Sequence, residues 1–270
     1  MNFYDKLNRA WSSSQSSLCV GLDPDLTKIP GILKNEAKPL FAFNKAIIDA
    51  TAEFACAFKP QFAYYAGQNR VDELLLTFEY LRENYPHIVT ILDSKRGDIG
   101  TTAKMYAREA FEVFGADSVT VNPYMGGDTL APFTDYTDRG VIVLCRTSNP
   151  GSGELQNLET NGIPLYETVA KHAHGSWNQN NNLALVVGAT YPDELARVRQ
   201  LAPELPLLVP GVGAQGGNLA AVLRNGRTAN GQGLLINSSR GIIYAGSGND
   251  FADHAHTAAQ TLVTQMRALA

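Results

Sequence analysis

Cysteine is scarce in this chain: Cys19, Cys56 and Cys145 each sit inside an apolar segment, with no CxxC pair and no Cys/His spacing. That scarcity excludes a disulfide framework, argues against a zinc site, and is expected of buried free thiols in a reducing compartment. A basic excess is missing as well. Lys and Arg total 22 against 26 Asp and Glu, a formal net charge of -4, and no basic stripe carries interleaved aromatics, so no nucleic-acid partner is expected. Small anions must then be held by local groups. No apolar run approaches the ~18 residues of a membrane span. The opening MNFYDKLNRAW has the spacing of a short amphipathic helix rather than of a signal peptide. The expectation is a cytoplasmic protein with no membrane contact.

What is present is ample apolar content, 44% of residues, in a regular alternation. Eight short apolar runs follow the opening helix: Ser17–Asp23, Ala55–Pro60, Ile88–Asp93, Ser118–Pro123, Val141–Arg146, Leu183–Gly188, Leu207–Gly213 and Leu234–Gly241. A stretch with helical spacing follows each, among them Val71–Glu83, Thr102–Phe114, one near Thr129–Thr137, Pro192–Leu201 and Asp250–Leu269. A Gly/Ser/Asn-rich loop intervenes after Arg146. No linker divides residues 1–270, so a single domain is expected. Eight βα units in about 250 residues are the signature of a TIM barrel. A doubly wound sheet also alternates, but eight uninterrupted units favour closure. The predicted fold is α/β, a single (β/α)8 barrel with an extra N-terminal helix.

In such barrels chemistry sits at the C-terminal ends of the strands. Here those ends are Asp23, Lys59, Asp93 with Lys95, Asn122, Arg146-Thr147-Ser148, Gly188-Ala189-Thr190, Gly211-Val212-Gly213 and Ser238-Ser239-Arg240. Nearly all are polar or Gly-rich. The densest is ILDSKRGDIGTT, Ile91–Thr102, which packs Asp93, Lys95 and Asp98 into six residues. Period-2 alternation along the strand sends Asp93 and Lys95 to one face, Arg96-Gly97 turns the chain, and Asp98 lies beyond on a loop. A solvated turn is one reading of such a cluster. Charges that continue the inward face of a buried strand favour another, that they pair or do chemistry. Lys59 alone could snorkel to solvent. With Asp93, Lys95 and Asp98 it would form an alternating array preorganised for a charge that moves.

Gly211–Gly216, GVGAQG, formally matches GxGxxG, but it lies late in the chain and no acid follows at the spacing a ribose needs. In a barrel the same glycines have another use. Loops after the seventh and eighth strands commonly hold a phosphate on backbone N–H groups, and Gln215 and Arg240 can complete such a site.

DSKRGDIGTT resembles the D-x-K-x-x-D-I-x-x-T signature of the orotidine 5'-phosphate decarboxylase family, and LCVGLDPD, CAFKPQFAYY, VTVNPYMG, RTSNPGS, VPGVGAQGG and NSSRGIIYA are similar to its other strand ends. The likeness spans nearly the whole chain and is that of the longer bacterial branch. It implies cofactor-free, metal-free loss of CO2 from orotidine 5'-monophosphate (OMP) to give UMP, in pyrimidine synthesis. The catalytic set it implies is Lys59, Asp93, Lys95 and Asp98, with Lys95 as cation and proton donor at C6. The substrate-binding set is Asp23, Thr102, Asn122, Ser148, Pro210, Gly211, Gln215, Gly216, Ser239 and Arg240. Within it Asp23 goes to ribose, Ser148 to the pyrimidine, and Gln215 with Arg240 to the phosphate. The resemblance further implies a homodimer, with Asp98 and Thr102 contributed across the interface. Two other functions fit the residues: a barrel lyase in which a similar Asp-x-Lys-x-x-Asp cluster binds Mg²⁺ and stabilises an enediolate, and a phosphate-ligand binding protein without turnover.

Overall fold

The computed structural model describes residues 1–212 and 216–269. Among these residues ten strands follow one another: β1 Leu18–Leu22, β2 Ala55–Pro60, β3 Val89–Arg96, β4 Ser118–Val121, β5 Gly140–Arg146, β6 Glu159–Thr160, β7 Ile163–Pro164, β8 Leu183–Val187, β9 Leu207–Pro210 and β10 Leu234–Ser238. Eight close into a parallel barrel in the order β1-β10-β9-β8-β5-β4-β3-β2, while β6 and β7 make a small antiparallel hairpin outside it. This is the (β/α)8 fold expected from the alternation.

Strands buried on both faces read as continuous apolar runs, and here the two faces feed two separate cores. Leu183, Leu185 and Val187 of β8 pack outward among the helices, as do Leu207 and Val209 of β9 and Val141 and Val143 of β5. Their alternates Ala184, Val186, Leu208 and Ile142 point inward, together with Cys19, Ala57, Val89, Ile91 and Leu235. Small inward residues such as Ala57, Cys19 and Ala184 suit a narrow barrel interior.

The helix Phe3–Ser14 closes the N-terminal end of the barrel. Its Phe3, Leu7, Ala10 and Trp11 join the inward core. Polar ties set its orientation: Trp11 Nε1 donates to Leu234 O at 2.8 Å, Tyr4 OH to Leu183 O at 2.6 Å, and Lys6 Nζ lies 2.6 Å from Asp117 Oδ2. Gly140, the first residue of β5, makes room for this plug, since a Cβ there would come within 2.6 Å of the Phe3 ring. With this end covered, the polar strand ends lie at the opposite, C-terminal mouth.

Among the outer helices, Val71–Asn84, Pro192–Leu201 and Phe251–Ala268 match their expected spans within a residue or two. The stretch expected to be helical at Thr129–Thr137 holds only Gly127–Thr129 and Ala131–Thr134, two short turns, because Pro132 confines it to a helix start. The loop after β5 is not structureless. It carries the turns Pro150–Ser152 and Gly153–Gln156 before the hairpin. Among the described residues no helix is long and apolar enough to cross a membrane.

Candidate active site

Inward parity, followed two residues past the apolar core, reaches the polar groups of the mouth. Lys59 follows Ala57 on β2 and Asp93 follows Ile91 on β3. Both are buried, and Lys59 Nζ lies 2.8 Å from Asp93 Oδ2. Lys95 Nζ lies 2.7 Å from the other oxygen, Oδ1. One carboxylate therefore carries two ammonium groups. Burial alone would raise the Asp93 carboxyl, but the charges of Lys59 and then Lys95 outweigh it and hold the group well below the usual carboxylate range. Burial likewise works against the Lys59 ammonium, and Asp93 with Asp23 overcomes it, so Lys59 stays charged.

Lys95 does not arrive by simple alternation. The pairing of β3 with β4 shifts register between Leu92 and Arg96, and Lys95 stands in the left-handed region at φ 47°. Nor does the chain turn at Arg96, as the Arg96-Gly97 pair suggests. Arg96 ends the strand with its guanidinium 4.3 Å from the Phe62 ring centre and 4.7 Å from that of Tyr106. It is doubly bonded to Glu109 at 2.9 Å. The bulge is thus pinned on its outer side.

Lys59, Asp93 and Lys95 form one wall of a cavity of about 550 Å³ that Thr120, Leu144, Val186, Leu208 and Pro210 continue. Its roof is the segment after β5, which brings Ser148 into the lining. Arg146 fastens that segment from below. It is buried, donates to Ser152 Oγ and, at 3.3 Å, to Gln156 Oε1, and stacks 3.8 Å from the Tyr191 ring centre. Gln156 in turn brackets Thr147, accepting from its N–H at 2.9 Å and donating to its hydroxyl at 2.8 Å.

A second cavity of about 320 Å³ shares Pro210 with the first and is lined by Asp23, Tyr64, Gly211, Asn237, Ser239 and Arg240. Asp23 Oδ1 and Ser239 Oγ are buried there with no hydrogen-bond partner among the described residues. Gly21 permits the approach of β1 to this corner, because a Cβ would meet that of Ser239 at 2.7 Å. Buried acceptors without partners are uncommon and mark places where a ligand group can complete the bonding.

Other expected residues stand apart. Asp98 does not join the array within this chain. Its Oδ1 accepts from the Ile99 N–H at 2.8 Å, and no ion pair involves it among the described residues. Thr102 is exposed on the helix Gly100–Arg108. Asn122 is exposed too, and its Oδ1 caps the Tyr124 N–H at 3.0 Å instead of lining the larger cavity. Gly216 is exposed, and Gln215 lies outside the described residues. Sequence reading missed Thr120, which contacts Asp93 through its hydroxyl at 2.9 Å. The signal was available: Thr120, not Asn122, is the inward position of β4 level with Asp93.

Comparison with known proteins adds an independent line. The model of the orotidine 5'-phosphate decarboxylase / HUMPS family matches residues 16–253. Orotidine 5'-phosphate decarboxylase of Cellvibrio japonicus is 54% identical over 268 residues, 98% of either chain, and that of a Janthinobacterium species 56% over 259 residues, 96% of either. Among solved structures, OMP decarboxylase of Leishmania donovani superposes with a TM-score of 0.85 at 40% identity, covering 100% of this chain and 98% of its own. A barrel closed at one end, a carboxylate between two ammonium groups at the other, and likeness along almost the whole length place this chain in the orotidine 5'-phosphate decarboxylase family.

Proposed function

We propose that Lys59, Asp93 and Lys95, completed by Asp98 of a second copy, carry out the decarboxylation on this chain, with residues 1–270 acting as one catalytic domain. The reaction follows from family membership: the chain is a carboxy-lyase that converts OMP to UMP and CO2 in pyrimidine biosynthesis. The observation that carries the assignment of residues is the Asp93 carboxylate, buried, with an ammonium group on each oxygen at the wall of the larger cavity.

Breaking the bond between C6 and its carboxylate leaves the electron pair on C6 with little resonance relief. The site must therefore hold a cation beside C6 and then deliver a proton. Lys95 suits both tasks. Its side chain is 45% exposed, so it is accessible from the cavity, whereas Lys59 is 6% exposed and serves as the inner counter-ion. As CO2 leaves uncharged, a proton passes from Lys95 Nζ to C6, the pair becomes a C–H bond, and the neutral amine regains its proton from solvent. Asp93 would lie near the departing carboxylate, straining the ground state or organising the two lysines. No cofactor is required.

The smaller cavity suits the rest of the nucleotide. Asp23, with an unpartnered carboxylate oxygen, is our candidate for the ribose. Arg240, Ser239, Gly211 and Gly216 are candidates for the phosphate, with Gln215 as a further one, while Ser148 and Pro210 border the pyrimidine.

The same reading makes the protein a cytoplasmic homodimer sharing Asp98 and Thr102. Its support is an exposed apolar rim: Ile99, Met105, Tyr124 and Met125 are 61%, 60%, 79% and 43% accessible. The two loops adjoin, for Met125 Cε lies 3.6 Å from where a Cβ of Gly97 would be. Such a patch beside the mouth fits a second copy.

Following the absorbance of OMP with purified protein in excess EDTA tests the reaction. Loss of signal at an undiminished rate is expected. Activity abolished by chelator and restored by Mg²⁺ would favour the enediolate lyase, which needs a cation where two ammonium groups now sit.

A further inference from the structure

One side chain from the neighbouring strand determines the shape of the β3 bulge. Thr120 is 1% exposed in β4. Its Oγ1 accepts from the Ser94 N–H at 3.0 Å and the Lys95 N–H at 2.9 Å, and donates to Asp93 Oδ1 at 2.9 Å. A hydroxyl has one hydrogen and two lone pairs. Two amides take the lone pairs and the carboxylate takes the hydrogen, so the hydroxyl is fully committed. These three bonds join the two residues on which the proposed chemistry turns. They hold the Lys95 backbone in a left-handed conformation that is unfavourable for a non-glycine residue, and from which Lys95 Nζ turns back onto Asp93. They also fix the Asp93 oxygen that receives that ammonium.

Packing does not ask for the hydroxyl. Thr120 stands between Val119 and Val121 in a buried strand, where valine has the same shape and suits the sheet well. We propose that Thr120 is a positioning residue for the decarboxylation: it holds Lys95 and Asp93 in mutual register and acts only through them. The inference rests on the role assigned to Lys95 above. A loss of register of about 1 Å between reacting groups costs on the order of 100-fold in rate.

The test compares Thr120→Val, Thr120→Ser and Thr120→Cys with Lys95→Ala in the purified full-length protein, reading kcat, KM and UMP affinity. Thr120→Val is expected to lower kcat roughly 100-fold while KM and UMP affinity change little. Thr120→Ser, which restores the hydroxyl but not the methyl, should recover most of the lost kcat. Equal kcat in the Val and Ser variants would overturn the proposal, as would a Val defect confined to KM and UMP affinity, since either describes a structural or binding role. Should the Val variant fail to fold, the Cys and Ser variants make the same comparison, because a thiol is a weak donor and acceptor. Cys is then expected to fall far below Ser, and parity between them would sink the idea. Lys95→Ala separates the two levels: retained turnover there would overturn the site assignment and this inference together, whereas collapse there with normal kcat in Thr120→Val would overturn this inference alone.

Discussion

Lys95 Nζ lies 2.7 Å from Asp93 Oδ1 although the two residues are two positions apart on one strand, because the strand bulges between Leu92 and Arg96 and Lys95 adopts φ 47°. In a regular strand the two side chains would stand side by side, perpendicular to the sheet. The bulge folds the lysine back over the carboxylate instead. Asp93 then holds two inequivalent cations, one sealed in the barrel and one open to the cavity.

That inequivalence predicts opposite patterns for the two lysines. Lys95→Ala removes the cation and proton donor, so turnover should fall by at least the 10²–10⁴-fold associated with general acid catalysis, while UMP binding is largely kept. Its half-exposed ion pair contributes only about 0–1 kcal/mol to stability. Lys59→Ala breaks a buried pair, which costs about 3–5 kcal/mol, toward the low end because Lys95 and Thr120 still bond Asp93. Thermal unfolding beside single-turnover assays separates them. Near-normal turnover in Lys95→Ala would remove it from the chemistry.

Acid stability reports on the same carboxylate. The folded Asp93 carboxyl titrates below its unfolded value of about 3.9. A depressed acid contributes stability that is complete above the unfolded value and is lost as pH falls through the folded one. The difference in unfolding free energy between the parent and Asp93→Asn should therefore be flat from pH 7 to about 4 and shrink below that. Urea unfolding at stepped pH measures it. A parent that instead gained stability over Asp93→Asn as pH fell from 7 to 5, the behaviour of an acid raised by burial, would mean that the two lysines do not outweigh burial.

Much of the barrel was legible because parallel strands buried on both faces leave apolar runs of fixed length, and Ala55–Pro60 and Pro192–Leu201 match their elements to the residue. Lys59 and Asp93 were legible as charges continuing an inward parity. The bulge was not. Nothing local to Ser94-Lys95 encodes a left-handed lysine, since the bonds that hold it come from Thr120, some 25 residues on. For the same reason the roof after β5 read as plain loop: its order comes from Arg146 and Gln156, whose partners are set by tertiary contact. The short helix Phe62–Ala66 was missed because five residues are too few for a periodic signal.

Arg240 should fail differently from Lys95. It lines the smaller cavity, away from the paired lysines, where a phosphate would supply binding energy remote from C6. A hydrogen bond to a charged group is worth about 1.5–3 kcal/mol, so Arg240→Ala should lower kcat/KM by roughly 10- to 100-fold. Added guanidinium should restore part of the loss. An unchanged kcat/KM for OMP would take Arg240 out of the phosphate site.

Asp98 offers the sharpest test of assembly. Its carboxylate is turned onto the Ile99 N–H in its own chain and pairs with neither lysine there. It stands between exposed Ile99 and Gly97, where a Cβ would lie 3.6 Å from Met125 Cε. If a second copy covers that rim, each Asp98 enters the other copy's site and adds a second carboxylate to the lysine pair. Lys95→Ala and Asp98→Ala should each be nearly inactive alone. After mixing and subunit exchange, one site of each heterodimer collects both lesions and the other collects none. Random pairing makes about half of the dimers heterodimers, so roughly a quarter of parent activity should return if distant sites act independently. Titrating one variant into the other at fixed total protein, with exchange followed by native mass spectrometry, gives the recovery curve. Full exchange without recovery, or a fully active monomer, would assign Asp98 to its own subunit and end the shared site.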